Sequence, residues 1–347
     1  MKIQKKIFVT GGAGFIGSNF IRYMYKKYPT YVFYNLDLLT YAGNLENLAD
    51  IEAAEKKNAD KRYFFIKGDI CDAKGLEKIF GKHNFDMVVN FAAESHVDRS
   101  LVDSFEFIKT NILGTHILLN LVHKLGIRFV HISTDEVYGD VPKGHSTEES
   151  SMRPSNPYSA SKAAADHLVQ SYMRSHKIKA VLVRGSNNFG PYQYPEKLIP
   201  LIITNLLEGH KIPIHGNGKH VRTWIHVEDF CSGVDIALHK APDFSIYNIS
   251  GTEEKNIEII RKICRILKKD FKDSCEHVSD RPGADMRYAP DSSKLISELG
   301  WKPRLTLHDS LPDIVKWYIK NKSWWKNIKR KKEFIEHYEK QRKAQYY

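Results

Sequence analysis

Short apolar runs rich in Val, Ile, Phe and Tyr recur along the first half of the chain, at Ile7–Thr10, Tyr31–Leu36, Tyr63–Lys67, Asp86–Phe91, Arg128–Ser133 and Lys179–Arg184. Between them apolar residues return at helical spacing, as in Ile16–Lys27, Thr110–Leu125 and Tyr158–His176. Strands alternating with helices predict an α/β protein with a parallel, doubly wound sheet. After Arg184 the pattern changes. Pro191, Pro195, Pro200 and Pro213, with Gly190, Gly209, Gly216 and Gly218, cut the chain into loops and short elements. Helical spacing resumes at Ile257–Leu267 and Leu311–Lys320. The expected organisation is a first domain over residues 1–184 and a smaller α/β domain over 185–347 that closes on the C-terminal strand ends, where ligands bind in such sheets. The segment near Val227–Leu238 is expected to return to the first domain, completing it at about 220–240.

The first strand runs into Thr10-Gly11-Gly12-Ala13-Gly14-Phe15-Ile16-Gly17, which holds G-x-G-x-x-G at Gly12, Gly14 and Gly17. The motif is weak alone. Here a strand precedes it, a helix follows, and Asp37 ends the second strand, the arrangement of a Rossmann dinucleotide site. The glycines let the backbone approach a pyrophosphate, and the helix N-terminus supplies N–H donors. Asp37 can accept from both adenosine ribose hydroxyls and would repel a 2′-phosphate, which favours NAD over NADP. Asp69-Ile70 ends the third strand on the adenine side. Ala92-Ala93-Glu94-Ser95 follows the fourth, where small residues suit close approach to the cofactor.

Tyr158 and Lys162 stand four apart in a helical segment and so share one face. A free phenol, with a pKa of about 10, is a poor base at neutral pH; a nearby ammonium and a cationic nicotinamide favour the phenolate. Lys162 can also hold the nicotinamide ribose. Pro154 and Pro157 prepare the helix start. Ser133-Thr134-Asp135-Glu136-Val137-Tyr138-Gly139 ends the fifth strand. Neighbouring side chains on a strand point to opposite faces, so Asp135 and Glu136 can meet one substrate only if the strand has already broken. Tyr158 and Lys162 suffice for oxidoreduction. An adjacent acid and base add the means to remove water.

Charge and composition narrow the partners. The net charge is +12, but much of the excess lies in the tail, in Lys326, Lys329, Arg330, Lys331, Lys332, Lys340, Arg342 and Lys343. These alternate with Trp324, Trp325, Phe334 and Tyr338, the pattern of a final amphipathic helix with a solvated basic face. A nucleic-acid partner is not expected. No apolar run reaches the length of a membrane span, and Met1–Lys6 leads straight into a strand, leaving no room for a leader. Cys71, Cys231, Cys264 and Cys275 show no metal-ligand spacing. A reduced, cytoplasmic protein without a metal is the expectation.

Thr10–Gly17, Ala92–Ser100 (AAESHVDRS), Thr134–Asp140 (TDEVYGD), Tyr158–Ala163 (YSASKA), Arg184–Pro200 (RGSNNFGPYQYPEKLIP) and Asp280–Tyr288 (DRPGADMRY) resemble dTDP-glucose 4,6-dehydratases, extended short-chain dehydrogenase/reductases. The resemblance implies a homodimer and a sugar-nucleotide 4,6-dehydratase with tightly bound NAD. It implies catalytic roles for Thr134, Asp135, Glu136, Tyr158 and Lys162. It also implies cofactor contacts from Gly11, Gly12, Gly14, Phe15, Ile16, Gly17, Asp37, Leu38, Thr40, Asp69, Ile70, Phe91, Ala92, Ala93, Ser95, Thr110 and Asn188, besides Tyr158 and Lys162. Substrate contacts are implied from Ser95, Thr134, Asn187, Lys197, Leu198, Arg222, Asn256, Arg281 and Tyr288, with Pro213, Ile214 and His215 lining the base pocket. Thr223 stands where the family usually has Asp, and Ala284 where it usually has His. Ala284 replaces a residue near the nucleotide, and the departures leave UDP- and GDP-sugars open beside dTDP-glucose. Two other readings stay open: a 4-epimerase or decarboxylase on the same fold, against which Asp135-Glu136 speaks, and a non-catalytic NAD-sensing protein that engages a polyanion through the basic tail.

Overall fold

The computed structural model describes residues 5–58, 60–280 and 283–342. Seven strands form one wholly parallel sheet: β1 (Lys5–Thr10), β2 (Tyr31–Asp37), β3 (Tyr63–Lys67), β4 (Met87–Asn90), β5 (Arg128–Thr134), β6 (Ala180–Gly185) and β10 (Ser245–Ile249). Their order is β10-β6-β5-β4-β1-β2-β3. The direction of winding reverses between β1 and β4, which opens a crevice at their C-terminal ends. The six strand positions expected from the apolar runs are all occupied. The seventh, β10, comes from far along the chain.

The central strands are buried on both faces because helices cover both, which is why they read as apolar runs rather than alternating patterns. One face packs the helix Phe15–Lys27, through Phe20, Ile21 and Met24, and the helix Val227–Lys240, through Phe230, Val234 and Leu238. Val227–Leu238 thus returns to the first sheet, as its pattern suggests. The other face packs Leu118, Leu119 and Val122 with Val169 and Met173. The expected helix Thr110–Leu125 divides into a π-helical segment, Ile108–Gly114, and a regular helix, Thr115–Leu125. Asn111 in the π segment donates to the Glu94 carbonyl at 3.0 Å and to the Ser161 hydroxyl at 2.8 Å, and its carbonyl accepts from the Glu94 N–H at 2.9 Å. The local widening of the helix places one amide where it ties the Ala92–Ser95 loop to the Tyr158 helix.

The second half contributes β7 (Asn187–Phe189), β8 (Ile212–His215), β9 (Val221–His226), β11 (Thr252–Lys255) and β12 (Cys275–Val278) in two small sheets. Its own apolar core joins Ile199, Ile202, Ile203, Ile259, Ile263 and Trp325, among others, from the helices Leu198–Glu208, Asn256–Ile266, Leu307–Lys320 and Lys322–Lys329. The expected single tail helix is a correction: the chain forms two, Lys322–Lys329 and Lys332–Arg342, broken at Arg330 and Lys331. Trp324, Trp325 and Phe334 are buried, and one continuous helix would not place all three in the core. Lys326, Arg330, Lys331, Lys332 and Lys340 are exposed, as a solvated basic face requires. Lys343 lies outside the described residues.

Candidate active site

β1 delivers the chain to the glycine loop at the crevice. The helix Phe15–Lys27 starts at Gly14 with no side-chain cap, so the first-turn N–H groups beside Phe15, Ile16 and Gly17 remain free to meet an anion. Gly11, Gly14 and Gly17 form the wall of a cavity of about 300 Å³. Gly12 does not. It faces the sheet, where a Cβ would meet the Asn35 Oδ1 at 2.2 Å. Its glycine serves packing between the loop and β2, not the cavity wall.

Asp37 stands at the end of β2. Its Oδ2 accepts from the Ala13 N–H at 2.9 Å and its Oδ1 from the Leu39 N–H at 2.8 Å. Burial raises its pKa while those two N–H groups lower it. Each oxygen keeps a further lone pair for a ribose hydroxyl. Leu38, Thr40, Asp69 and Ile70 continue this wall. Phe91, Ala92, Ala93, Ser95, Thr110 and Asn188 line the stretch toward Tyr158 and Lys162. The uncapped helix end, the carboxylate and the ammonium fit the pyrophosphate, adenosine ribose and nicotinamide ribose of a dinucleotide.

β5 ends at Thr134, and the chain breaks at once into a 3₁₀ turn, Asp135–Tyr138. The Thr134 Oγ1 caps it, accepting from the Glu136 N–H at 3.3 Å. Gly139 follows at φ 73°, and a Cβ there would meet the Arg153 carbonyl at 2.1 Å. Buried ties fix the turn from behind. The Tyr138 hydroxyl donates to the Asn248 Oδ1 at 2.8 Å and accepts from Arg184 at 2.8 Å, and Arg184 in turn pairs with Asp166 at 2.9 Å. The turn resolves the problem posed by a regular strand: both Asp135 and Glu136 line one cavity.

The two carboxyls stand in different environments. Asp135 is 2% exposed. Burial, and then the charge of Glu136, push it up to about 8. Glu136 is half-buried at the junction with a second cavity. Burial raises it too, but Arg222 and Lys197 oppose that shift. These influences favour the proton on Asp135 over Glu136, the reverse of the order for free Asp and Glu.

Tyr158 and Lys162 lie in the helix Pro157–Ser175, which Asn156 and Ser159 begin with a reciprocal capping box and Pro157 in the first turn. The Lys162 Nζ donates to the Ile132 carbonyl at 2.7 Å. Burial lowers its pKa to about 8, against the pull of Asp166. Burial and the Glu136 charge raise the Tyr158 phenol above its ordinary value, while a hydrogen bond with Thr134 lowers it. Phenolate formation thus requires added positive charge in the cavity, such as a nicotinamide cation.

The second cavity adjoins the first through Ser95, Glu136, Asn187 and Lys197. The Lys197 Nζ donates to the Ser95 carbonyl at 3.0 Å. Arg222 donates to the Val221 carbonyl at 2.8 Å and the Asp285 carbonyl at 2.9 Å, with its guanidinium 4.2 Å over the Tyr288 ring. The Tyr288 hydroxyl donates to Asp285 at 2.6 Å. Leu198, Pro213, Ile214, His215 and Asn256 complete this wall. Arg281 lies outside the described residues.

Sequence reasoning missed Tyr41, Gln193 and Glu196, which also line the first cavity. They belong to no spacing motif and arrive from loops of both halves. The quoted PEKLIP and AAESHVDRS segments contain Glu196 and its partner Arg99, so the signal was adjacency to residues already singled out. Metal-ligand spacing is absent from the sequence, yet His96, Asp98 and His337 bring possible ligand atoms within 4.8 Å of one another.

The chain matches the family described as GDP-mannose 4,6-dehydratase over residues 8–314. A dTDP-glucose 4,6-dehydratase of Escherichia coli is 44% identical, with 93% of this chain and 96% of that protein covered. One from Streptomyces niveus is 45% identical over the same shares. The crystal structure of dTDP-glucose 4,6-dehydratase from Bacillus anthracis in complex with NAD is 44% identical, covers 94% of this chain and 100% of that chain, and superposes with a TM-score of 0.86. A Thermus thermophilus UDP-glucose 4-epimerase with NAD is more distant, at 27% identity, 91% and 99% coverage and a TM-score of 0.82.

Proposed function

The chain belongs to the GDP-mannose 4,6-dehydratase family of extended short-chain dehydrogenase/reductases, and we propose that it is an NAD-dependent dTDP-glucose 4,6-dehydratase. The observation that carries this reading is the pair Asp135 and Glu136 in one cavity wall with Tyr158. An epimerase has no water to remove and no use for that pair. The NAD-bound relative from Bacillus anthracis supports the cofactor, and the dTDP-glucose relatives support the substrate.

Gly11, Gly14, the N-terminus of the helix Phe15–Lys27, Asp37 and Lys162 would hold the dinucleotide. Bound NAD supplies hydride acceptance from C4 of the hexose and hydride return to C6. Tyr158 takes the proton of the sugar 4-hydroxyl, with Thr134 hydrogen-bonded to the same oxygen. The resulting 4-ketone acidifies the C5 hydrogen. Glu136, ionised beside Arg222 and Lys197, removes that proton. Asp135 donates its own to the departing 6-hydroxyl, and water leaves. The product is a 4-keto-6-deoxy sugar nucleotide once the proton held by Glu136 returns to C5. Lys197 and Arg222 face the diphosphate, a guanidinium and an ammonium being its natural partners.

We read residues 1–184, completed by the return of the chain, as the NAD-binding domain, and 185–347 as the sugar-nucleotide domain. A homodimer is the assembly that the exposed apolar row Val102, Phe105, Ile108 and Leu113 supports, with Phe105 66% exposed. Four free thiols suit a reduced, cytoplasmic setting. Among the described residues no helix is long and apolar enough to cross a membrane.

Purified protein offered dTDP-, UDP-, GDP- and CDP-hexoses and the corresponding hexuronic acids, followed by mass spectrometry, tests the reading. Loss of water from dTDP-glucose, with a C4 deuterium label reappearing at C6, is the expected result. Unchanged mass with inverted C4, or loss of carbon dioxide, would replace it with the epimerase or decarboxylase.

A further inference from the structure

Next to Lys197 stands a charged network that the proposed chemistry does not use. Glu196 is 2% exposed. Its Oε2 lies 3.2 Å from one terminal nitrogen of Arg99, whose other terminal nitrogen lies 3.0 Å from Glu333. The Nε2 atoms of His96 and His337 stand 3.9 and 3.7 Å from the same Glu196 carboxylate. The Arg99 guanidinium also stacks 3.8 Å over the Tyr41 ring, in the loop that follows Asp37. One guanidinium therefore touches three segments: the loop beside the cofactor cavity, the loop that presents Lys197, and the last helix.

That helix, Lys332–Arg342, is docked. Phe334 is buried in the second core, 6.0 Å from the Tyr194 ring. The Tyr338 hydroxyl accepts from Asn205 at 2.8 Å. Removing Arg99 would take the guanidinium at 3.2 Å away from the buried Glu196 carboxylate and break the link to Glu333. Lys197 follows Glu196 directly in the chain, lines both cavities, and acts electrostatically on Glu136.

We propose that Arg99, Glu196 and Glu333 are positioning residues that hold Lys197 toward the diphosphate of the substrate, so that the C-terminal helix sets sugar-nucleotide affinity from outside the cavity. The inference rests on the dehydratase reading and adds to it a determinant of substrate binding.

Steady-state kinetics with dTDP-glucose tests it, with NAD content and melting temperature recorded for each variant. Arg99→Gln is expected to raise KM by about ten-fold, the scale of coupling within one ion-pair network, with kcat changed much less and NAD retained. Arg99→Lys restores part of the loss. The double variant Arg99→Gln/Glu196→Gln is milder than Arg99→Gln alone, because no charge is stranded. Glu333→Gln, at a half-exposed position, raises KM by only about two- to three-fold. Its affinity for dTDP, measured by calorimetry, keeps the test open should Arg99→Gln fail to fold. An unchanged KM, or parallel losses of kcat, NAD and melting temperature, would overturn the proposal. So would activity that requires zinc and is lost to a chelator, since the His96–Asp98–His337 group would then serve a cation. A wild-type protein that leaves dTDP-glucose untouched would instead sink the dehydratase reading.

Discussion

The two halves of the molecule build their share of the site in different ways. On the cofactor side, one strand, one turn and one helix place Gly11, Gly14 and Gly17, and the next strand places Asp37. On the nucleotide side, Lys197, Arg222, Asn256 and Tyr288 come from four separate segments, held by contacts such as Arg222 to Asp285 and Tyr288 to Asp285. A site carried by one supersecondary unit shows in residue spacing. A site assembled from converging loops does not. On the proposed function the first half supplies the chemistry and the second the affinity, and variants should separate the two.

The largest effect is expected from Tyr158→Phe, which should lower kcat by about 10³-fold, within the range of a lost general base, while NAD remains bound. Retained turnover would move the base elsewhere. Asp135→Asn should slow water loss by about 10²-fold yet leave Glu136 able to exchange the C5 hydrogen. Deuterium uptake from solvent separates those steps, and equal loss of both would deny the two carboxyls distinct roles. Arg222→Gln belongs to the other half. It should raise KM by about ten-fold, the effect of one lost charge-assisted contact with a phosphate, with kcat nearly preserved. A fall in kcat alone would blur the division.

The smallest effect is the pH response. Asp135 is raised from its ordinary value to about 8, so its acid form prevails below that pH and the elimination rate should fall above it. Lys162, lowered to about 8, loses its charge over the same range. The alkaline limb therefore reports a coupled group of residues, and Asp135→Asn should alter its shape. A rate that keeps climbing past pH 9 would remove Asp135 as the acid.

Much of the first half was legible before the structure. The apolar runs located six of the seven strands, and the need for a break after Thr134 followed from the geometry of adjacent strand residues. What was hidden had physical causes. Gly12 fits the motif, yet it packs on Asn35, because a spacing pattern cannot tell wall from floor. The π segment at Ile108–Gly114 carries the periodicity of an ordinary helix. The tail reads as one amphipathic helix because its aromatic residues are spaced for burial on either side of a bend. Arg99 and Glu196 are nearly a hundred residues apart, and only folding makes them neighbours.

The seventh strand has a consequence for how the chain is made. β10 pairs with β6 from Ser245↔Val181 to Ile249↔Gly185, so during synthesis β6 waits as a bare sheet border while roughly 60 more residues emerge. At translation speeds of about 5–20 residues per second that wait lasts several seconds. A bare, flat, apolar border is a template for pairing with another chain. A gene fragment ending at Gly185 would leave it so permanently, and should yield aggregates rather than an isolated cofactor-binding half.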